Sequence, residues 1–272
     1  MFAHASIPAH RTHPSWSVSR CLYRALQGFA LVLMSGCAAW DIDPEARLKL
    51  INDSPWAKAH RLPETGPEAL WSHQHLPART ATRYQAVRHA GRPALHALSE
   101  RGDSLIRLPV HAEGPRVGQL RFSWFVNELN PVAELGDSAR DDAVVRVILQ
   151  FDGDRAPFSP RDRRLSDMVQ LATGEPLPHA TLMYVWDHRH PVGTVLRHPR
   201  TDRVRMLVAA SGEAGLRRWV DIERDVAADY ARVFGEPPAR LIGLALMTDA
   251  NNTGQRAEAW YGPITWSAHS MH

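Results

Sequence analysis

The stretch Ala143-Val144-Val145-Arg146-Val147-Ile148-Leu149-Gln150-Phe151, running into Asp152-Gly153, decides the fold class. It is rich in β-branched residues, which suit a pleated and half-buried surface, and it stops at an Asp-Gly turn signal. Outward from it the same period recurs. Leu120, Phe122, Trp124 and Val126 alternate with Arg121, Ser123, Phe125 and Asn127, which places one heavily apolar face on a strand. Leu182, Tyr184 and Trp186 share one side of residues 180–186, and Val204, Met206 and Val208 alternate with Arg203, Arg205 and Leu207. Residues 240–248 are almost continuously apolar, the pattern of a central strand covered on both faces. Residues 257–266 close the chain with Trp260, Tyr261, Ile264 and Trp266, where Pro263 predicts an edge or a bulge.

Two short helices interrupt the strands. Ser159-Pro160-Arg161-Asp162 combines an N-cap serine, a proline at the first helical position and an acid in the first turn. Leu165, Met168, Val169 and Ala172 then predict one apolar face, and Gly174 a stop. A second helix is predicted from Val226 to Phe234 behind Asp225, with Tyr230, Val233 and Phe234 inward, and a short one around Glu45 to Ile51. Many evenly spaced strands with few helices predict an all-β fold, an antiparallel β-sandwich of jelly-roll type.

The N-terminus reads as an address. An apolar run from Ala25 to Met34 follows Arg20 and Arg24 and leads into Leu33-Met34-Ser35-Gly36-Cys37, the architecture of a secretory signal with a lipobox. The run is shorter than the ~20 apolar residues a bilayer-spanning helix needs. Cys37 is therefore expected to carry a lipid and to anchor the chain to a membrane. Ala38, in place of an aspartate, points by analogy with bacterial lipoproteins to the outer membrane, facing the periplasm. The expected organisation is a signal peptide over 1–36, a tether over 37–80 and a sandwich domain over 81–272.

Removing residues 1–36 removes three arginines and no acid, leaving 29 basic and 29 acidic residues. A chain with no net charge lacks the electrostatic footprint of a nucleic-acid binder. Cys21 and Cys37 are the only cysteines, so the body beyond Cys37 offers no disulfide, no cysteine-bound zinc and no thiol nucleophile.

Several words occurring in order resemble the bacterial domain-of-unknown-function 3047 family. They are residues 143–154, then 173–187 (TGEPLPHATLMYVWD), 191–205 (PVGTVLRHPRTDRVR), 218–236 (RWVDIERDVAADYARVFGE) and 241–262 (LIGLALMTDANNTGQRAEAWYG). The resemblance spans residues 80–266. It implies an exported, envelope-associated protein with a jelly-roll or galactose-binding-like sandwich, and it carries no activity or site residue with it.

The chemistry-bearing residues are mostly acidic and sit beyond strand ends. Asp141-Asp142 precede one strand, Asp152-Gly153-Asp154 follow it, Asp187 ends another, and Asp249-Ala250-Asn251-Asn252 ends the apolar one. Such hard oxygens suit calcium, although the same residues also build turns. His188 and His190 alternate beside the Trp186 strand but fit an exposed loop. Trp260 and Tyr261 are adjacent, so their rings point to opposite faces of a strand. If Asp152, Asp154, Asp187, Asp249 and Asn252 share one mouth with Trp260 or Tyr261 at its rim, the site suits a glycan. The leading expectation is an envelope lipoprotein that binds a glycan without turning it over. Alternatives are an enzyme acting on an envelope polysaccharide through Asp152, Asp154 or Asp187, and a structural partner in envelope assembly.

Overall fold

The structure, a computed structural model, describes residues 43–62, 69–76 and 78–267. Among these, the strands form two sheets. The seven-stranded sheet has the order β1 (Ser72–His75), β4 (Ser104–Ala112), β11 (Arg240–Met247), β6 (Arg146–Asp152), β7 (Ala180–Asp187), β9 (Val204–Ser211) and β8 (Val195–Arg197). The other runs β10 (Trp219–Asp225), β5 (Gln119–Val126), β12 (Arg256–Tyr261), β3 (Arg92–Glu100) and β2 (Arg83–His89), with β13 (Thr265–Ser267) also on β5. From β3 to β6, and again from β9 to β12, the chain changes sheet at every step, which is how a jelly roll wraps.

The predicted alternation is the inward face on β5 and β7, and is corrected on β9, where Leu207 enters the core and Met206 and Val208 face outward. Leu120, Phe122 and Trp124 of β5, with Ala259 and Tyr261 of β12, join Val147, Leu149 and Phe151 of β6 and Leu182, Tyr184 and Trp186 of β7 in one core. The apolar runs of β6, β7 and β9 are also covered on their outer side, where Val185, Met206 and Val208 pack beneath Leu135 and Ala143. β11 lies between β4 and β6, as its continuous apolar run requires. One ladder departs from the antiparallel expectation. β9 inserts between β7 and the edge strand β8, so β7 and β9 run parallel. Pro263 falls in the break between β12 and β13, where a missing N–H costs no ladder bond.

The helices are α1 (Pro44–Asn52), α2 (Pro55–Lys58), α3 (Pro160–Thr173) and α4 (Val226–Phe234). Ser159 and Asp225 cap α3 and α4 by accepting from the N–H of Asp162 and Ala228, and Gly174 and Gly235 end them in the left-handed region. The expected apolar face of α3 is corrected: Met168 and Ala172 are exposed, and Leu165 and Val169 are only half-buried. Polar groups seat this helix instead. Asp162 accepts from Thr201 Oγ1 at 2.5 Å, and Ser166 Oγ accepts from Leu177 N at 3.2 Å.

In the stretch expected as a tether, the described residues are built into the sandwich. Ile51 of α1 and Trp56 of α2 enter the core, Trp56 donates from Nε1 to Gly262 O at 3.2 Å, and β1 pairs with β4. Cys37 and the predicted signal peptide lie outside the described residues. No described helix is long and apolar enough to cross a membrane.

Candidate functional site

The structure separates the seven predicted site residues. Asp249, Asn252 and Asp187 lie at the end of the seven-stranded sheet where β6 begins, because Arg146 pairs with Met247 and with Val185. Asp152 and Asp154 lie at the opposite end, a strand length or ~20 Å away at ~3.3 Å per residue. Glycosidase carboxylates stand ~5–9.5 Å apart, so Asp152 or Asp154 cannot act with Asp187 on one bond. Each has a local task. Asp152 accepts from Arg240 at 2.8 Å, a bond that pulls its pKa down, and Asp154 accepts from Ala156 N at 2.8 Å as a turn residue. Asp187 is buried and accepts from the N–H groups of Arg189 and His190, with the His190 ring against it, which fixes the loop.

Tyr261 and Trp260 do point to opposite faces. Tyr261 sits in the sandwich core, its hydroxyl donating to Met247 O at 2.6 Å and accepting from Arg146 N at 3.3 Å, and burial raises its pKa. Trp260 lies on the outer face of the six-stranded sheet but offers no open platform. It is 9% exposed, because His89 and His96 stack on it with centroids at 4.0 and 4.9 Å. The expected single mouth therefore does not form: its residues divide between the two ends of the seven-stranded sheet, the core and the outer face of the six-stranded sheet.

On the seven-stranded side, Asp249 and Asn252 line a cleft of about 360 Å³ together with Asp141, Arg146 and His198. Arg146 is buried and donates to both carboxylate oxygens of Asp249, at 2.9 and 3.1 Å, and to Asp141 O at 2.8 Å. Burial nevertheless holds the Asp249 carboxyl up at about 6, against the pull of Arg146. Asp142 is spent on the N–H of Asn252 and on the N–H and hydroxyl of Thr253. Among the described residues, no group of three or more His, Cys, Asp or Glu is placed to hold a metal ion. The acids expected as calcium ligands instead face an arginine and backbone N–H groups. Arg146 was the missed residue, and its signal was present: a lone charge in an apolar strand must find a partner.

On the six-stranded side, residues from successive strands fall into register. Trp219 of β10 stands opposite Phe125 of β5, Phe125 opposite Trp260 of β12, and Trp260 opposite His96 of β3. One step along lies an open trough of about 460 Å³. Its walls are the bidentate pair Arg92–Asp221, at 2.5 and 3.1 Å, and the pair Arg121–Glu223 at 2.9 Å, with Ser123 between them. Arg92 also lies over the Trp219 ring, 5.2 Å from its centroid.

A family model described as "Protein of unknown function (DUF3047)" matches residues 69–265. The chain belongs to the DUF3047 family. No curated protein matches it. Among solved structures it is similar to the family 11 carbohydrate-binding module from Clostridium thermocellum, determined in complex with a beta-1,3-1,4-mixed-linked tetrasaccharide. That similarity covers 74% of this chain and 91% of that chain, at 9% identity and a TM-score of 0.35.

The two clefts of this DUF3047 sandwich differ in chemistry. The trough pairs are solvent-exposed, so each exchanges partners at little cost. The cleft beside Asp249 rests on an ion pair whose groups are both nearly enclosed, which cannot be re-partnered without a large penalty.

Proposed function

We propose that this DUF3047 protein is an exported lipoprotein whose sandwich binds a glycan along the outer face of the six-stranded sheet, without turning it over. The trough carries this reading. Vicinal hydroxyls need donors and acceptors side by side, and the Arg92–Asp221 and Arg121–Glu223 pairs present both across an open floor. Trp219, half-buried and two residues from Asp221 on the same face, supplies an apolar surface at the rim for the C–H face of a sugar ring. An open trough accepts a chain passing through it, which suits an oligosaccharide. Isothermal titration with soluble peptidoglycan fragments, lipopolysaccharide core oligosaccharide and exopolysaccharide tests the proposal. At least one of these is expected to bind, and Trp219→Ala and Asp221→Ala are each expected to weaken it tenfold or more, ~1.4 kcal/mol. If none binds, or if both variants bind like the wild type, the reading fails.

The membrane address rests on the sequence Leu33-Met34-Ser35-Gly36-Cys37. Cys37→Ser is expected to move the protein from the outer-membrane fraction to the soluble periplasm of its native host. Undiminished membrane association would overturn the lipid anchor.

A further inference from the structure

The cleft beside Asp249, on the opposite outer face from the trough, contains an enclosed carboxylate oxygen and a rim guanidinium that its own neighbours leave unmet. The Asn251 amide donates to Asp103 Oδ2 at 3.2 Å and accepts from Arg79 at 3.1 Å, which leaves Asp103 Oδ1 without a donor. Arg146 and Asp249 satisfy each other. Asp141 Oδ1 accepts from Gly136 N at 3.0 Å, and Asn252 Nδ2 donates to Ser138 O at 2.9 Å. His198 Nδ1 accepts from Arg200 N at 3.2 Å, which places its proton on Nε2, and burial lowers its pKa, so the ring is neutral near pH 7. Asp103 differs. Its residue is 7% exposed, and Oδ1 is enclosed with no hydrogen-bond partner among the described residues. Arg79 Nε stands 3.8 Å away, too far for a hydrogen bond, on a side chain that is 43% exposed. At the rim, the exposed Arg200 guanidinium makes no ion pair among the described residues.

Asp103 is held rigidly in this position. Its N–H donates to Thr80 O at 2.9 Å, and the preceding Gly102 carbonyl accepts from Ser99 Oγ at 2.6 Å and Ala250 N at 3.0 Å. A Cβ on Gly102 would lie 2.1 Å from Thr80 O, so only glycine allows the approach. An enclosed acceptor without a donor carries an uncompensated desolvation cost, which a bound donor would recover.

We propose that this cleft is a second binding site, for a small zwitterion carrying an ammonium group and a carboxylate, such as a free amino acid. The ammonium enters the loose gap between Arg79 and Asp103 and donates to Asp103 Oδ1. A hydroxyl would supply one donor, whereas an ammonium supplies several and also cancels the buried charge. The displaced Arg79 and the unpaired Arg200 then meet the carboxylate. Leu76, Met183 and Met247 line the same cleft and accept an apolar side chain. Its volume of about 360 Å³ is near the lower end of small-molecule pockets, ~300–1,000 Å³.

Calorimetry and thermal melts of the detergent-solubilised protein test this with leucine, methionine and lysine. Each is supplied as the free amino acid, the N-acetyl derivative and the carboxamide. At least one free amino acid is expected to bind and raise the melting temperature, its N-acetyl derivative at least tenfold more weakly. Asp103→Asn is expected to abolish binding, and the exposed Arg200→Ala to weaken it and remove the preference for the free acid over the carboxamide. Trp219→Ala, which disrupts only the trough, is expected to bind amino acids normally. The proposal is overturned if no free amino acid binds, if N-acetylation has no effect, or if Arg200→Ala binds both forms as the wild type does. Should Asp103→Asn fail to fold, the Arg200→Ala comparison still decides.

Discussion

Replacing Arg146 with alanine is expected to destabilise the protein by about 3–5 kcal/mol, because it strands a buried carboxylate. Asp249 is enclosed, and among the described residues its oxygens otherwise find only Ala143 N, at 3.1 Å, besides Arg146. Removing both charges is milder: Arg146→Met with Asp249→Leu is expected to recover at least half of the loss, since apolar isosteres avoid the desolvation cost. Urea unfolding of the wild type and both variants measures this. A single-variant loss below ~1 kcal/mol would show that water reaches the pair. The deficit should also depend on pH. Asp249 is held at about 6 in the folded state, above the ordinary 3.8, so the folded protein binds the extra proton between those values. Its contribution to stability is therefore full below about pH 4, declines as pH rises through about 6, and is flat above. Without Arg146 the carboxyl rises further, so the variant should be closer to wild type at pH 5 than at pH 7.5. A deficit independent of pH would contradict this assignment.

Trp56→Ala is expected to cost about 3–5 kcal/mol, the range for emptying a large aromatic site in a core. The ring is fully enclosed, and its N–H holds Gly262 O at the β12–β13 break, so the loss combines a cavity with an unpaired buried carbonyl. A chain shortened to begin at residue 69 should be destabilised at least as much, since it lacks α1 and α2 entirely. Thermal and urea unfolding of both check this. If the shortened chain unfolds at the wild-type midpoint, the segment 44–62 is an ornament to the fold.

Much of the sandwich was legible because its signals are local. A period of two in 120–126 and 182–186 can be satisfied only by strands with one face on a core, and Ser159, Gly174, Asp225 and Gly235 act on their own backbone. Trp56 was not legible, because a single tryptophan among prolines carries no period. The apolar repeat of α3 misled for the converse reason: Leu165, Met168, Val169 and Ala172 have helical spacing, but the surface beneath them is reached through Asp162 and Ser166.

The candidate sites follow the same division. Sequence alone determined that Trp260 and Tyr261 face opposite ways and that Asp249 and Asn252 lie just beyond a buried strand; it also held, unread, the signal that Arg146 needs a partner. Those conclusions depend on strand alternation and on the cost of an unpaired charge, both readable along the chain. Tertiary structure alone decided that Asp249 is that partner, that His89 and His96 cover Trp260, and that Asp152 and Asp187 stand at opposite ends of the sheet. It also brought Asp103, Arg79 and Arg200 to one cleft, and Arg92 and Asp221 to one trough. These pairings join residues many tens of positions apart, and their distances follow from sheet order and register, which no local pattern encodes.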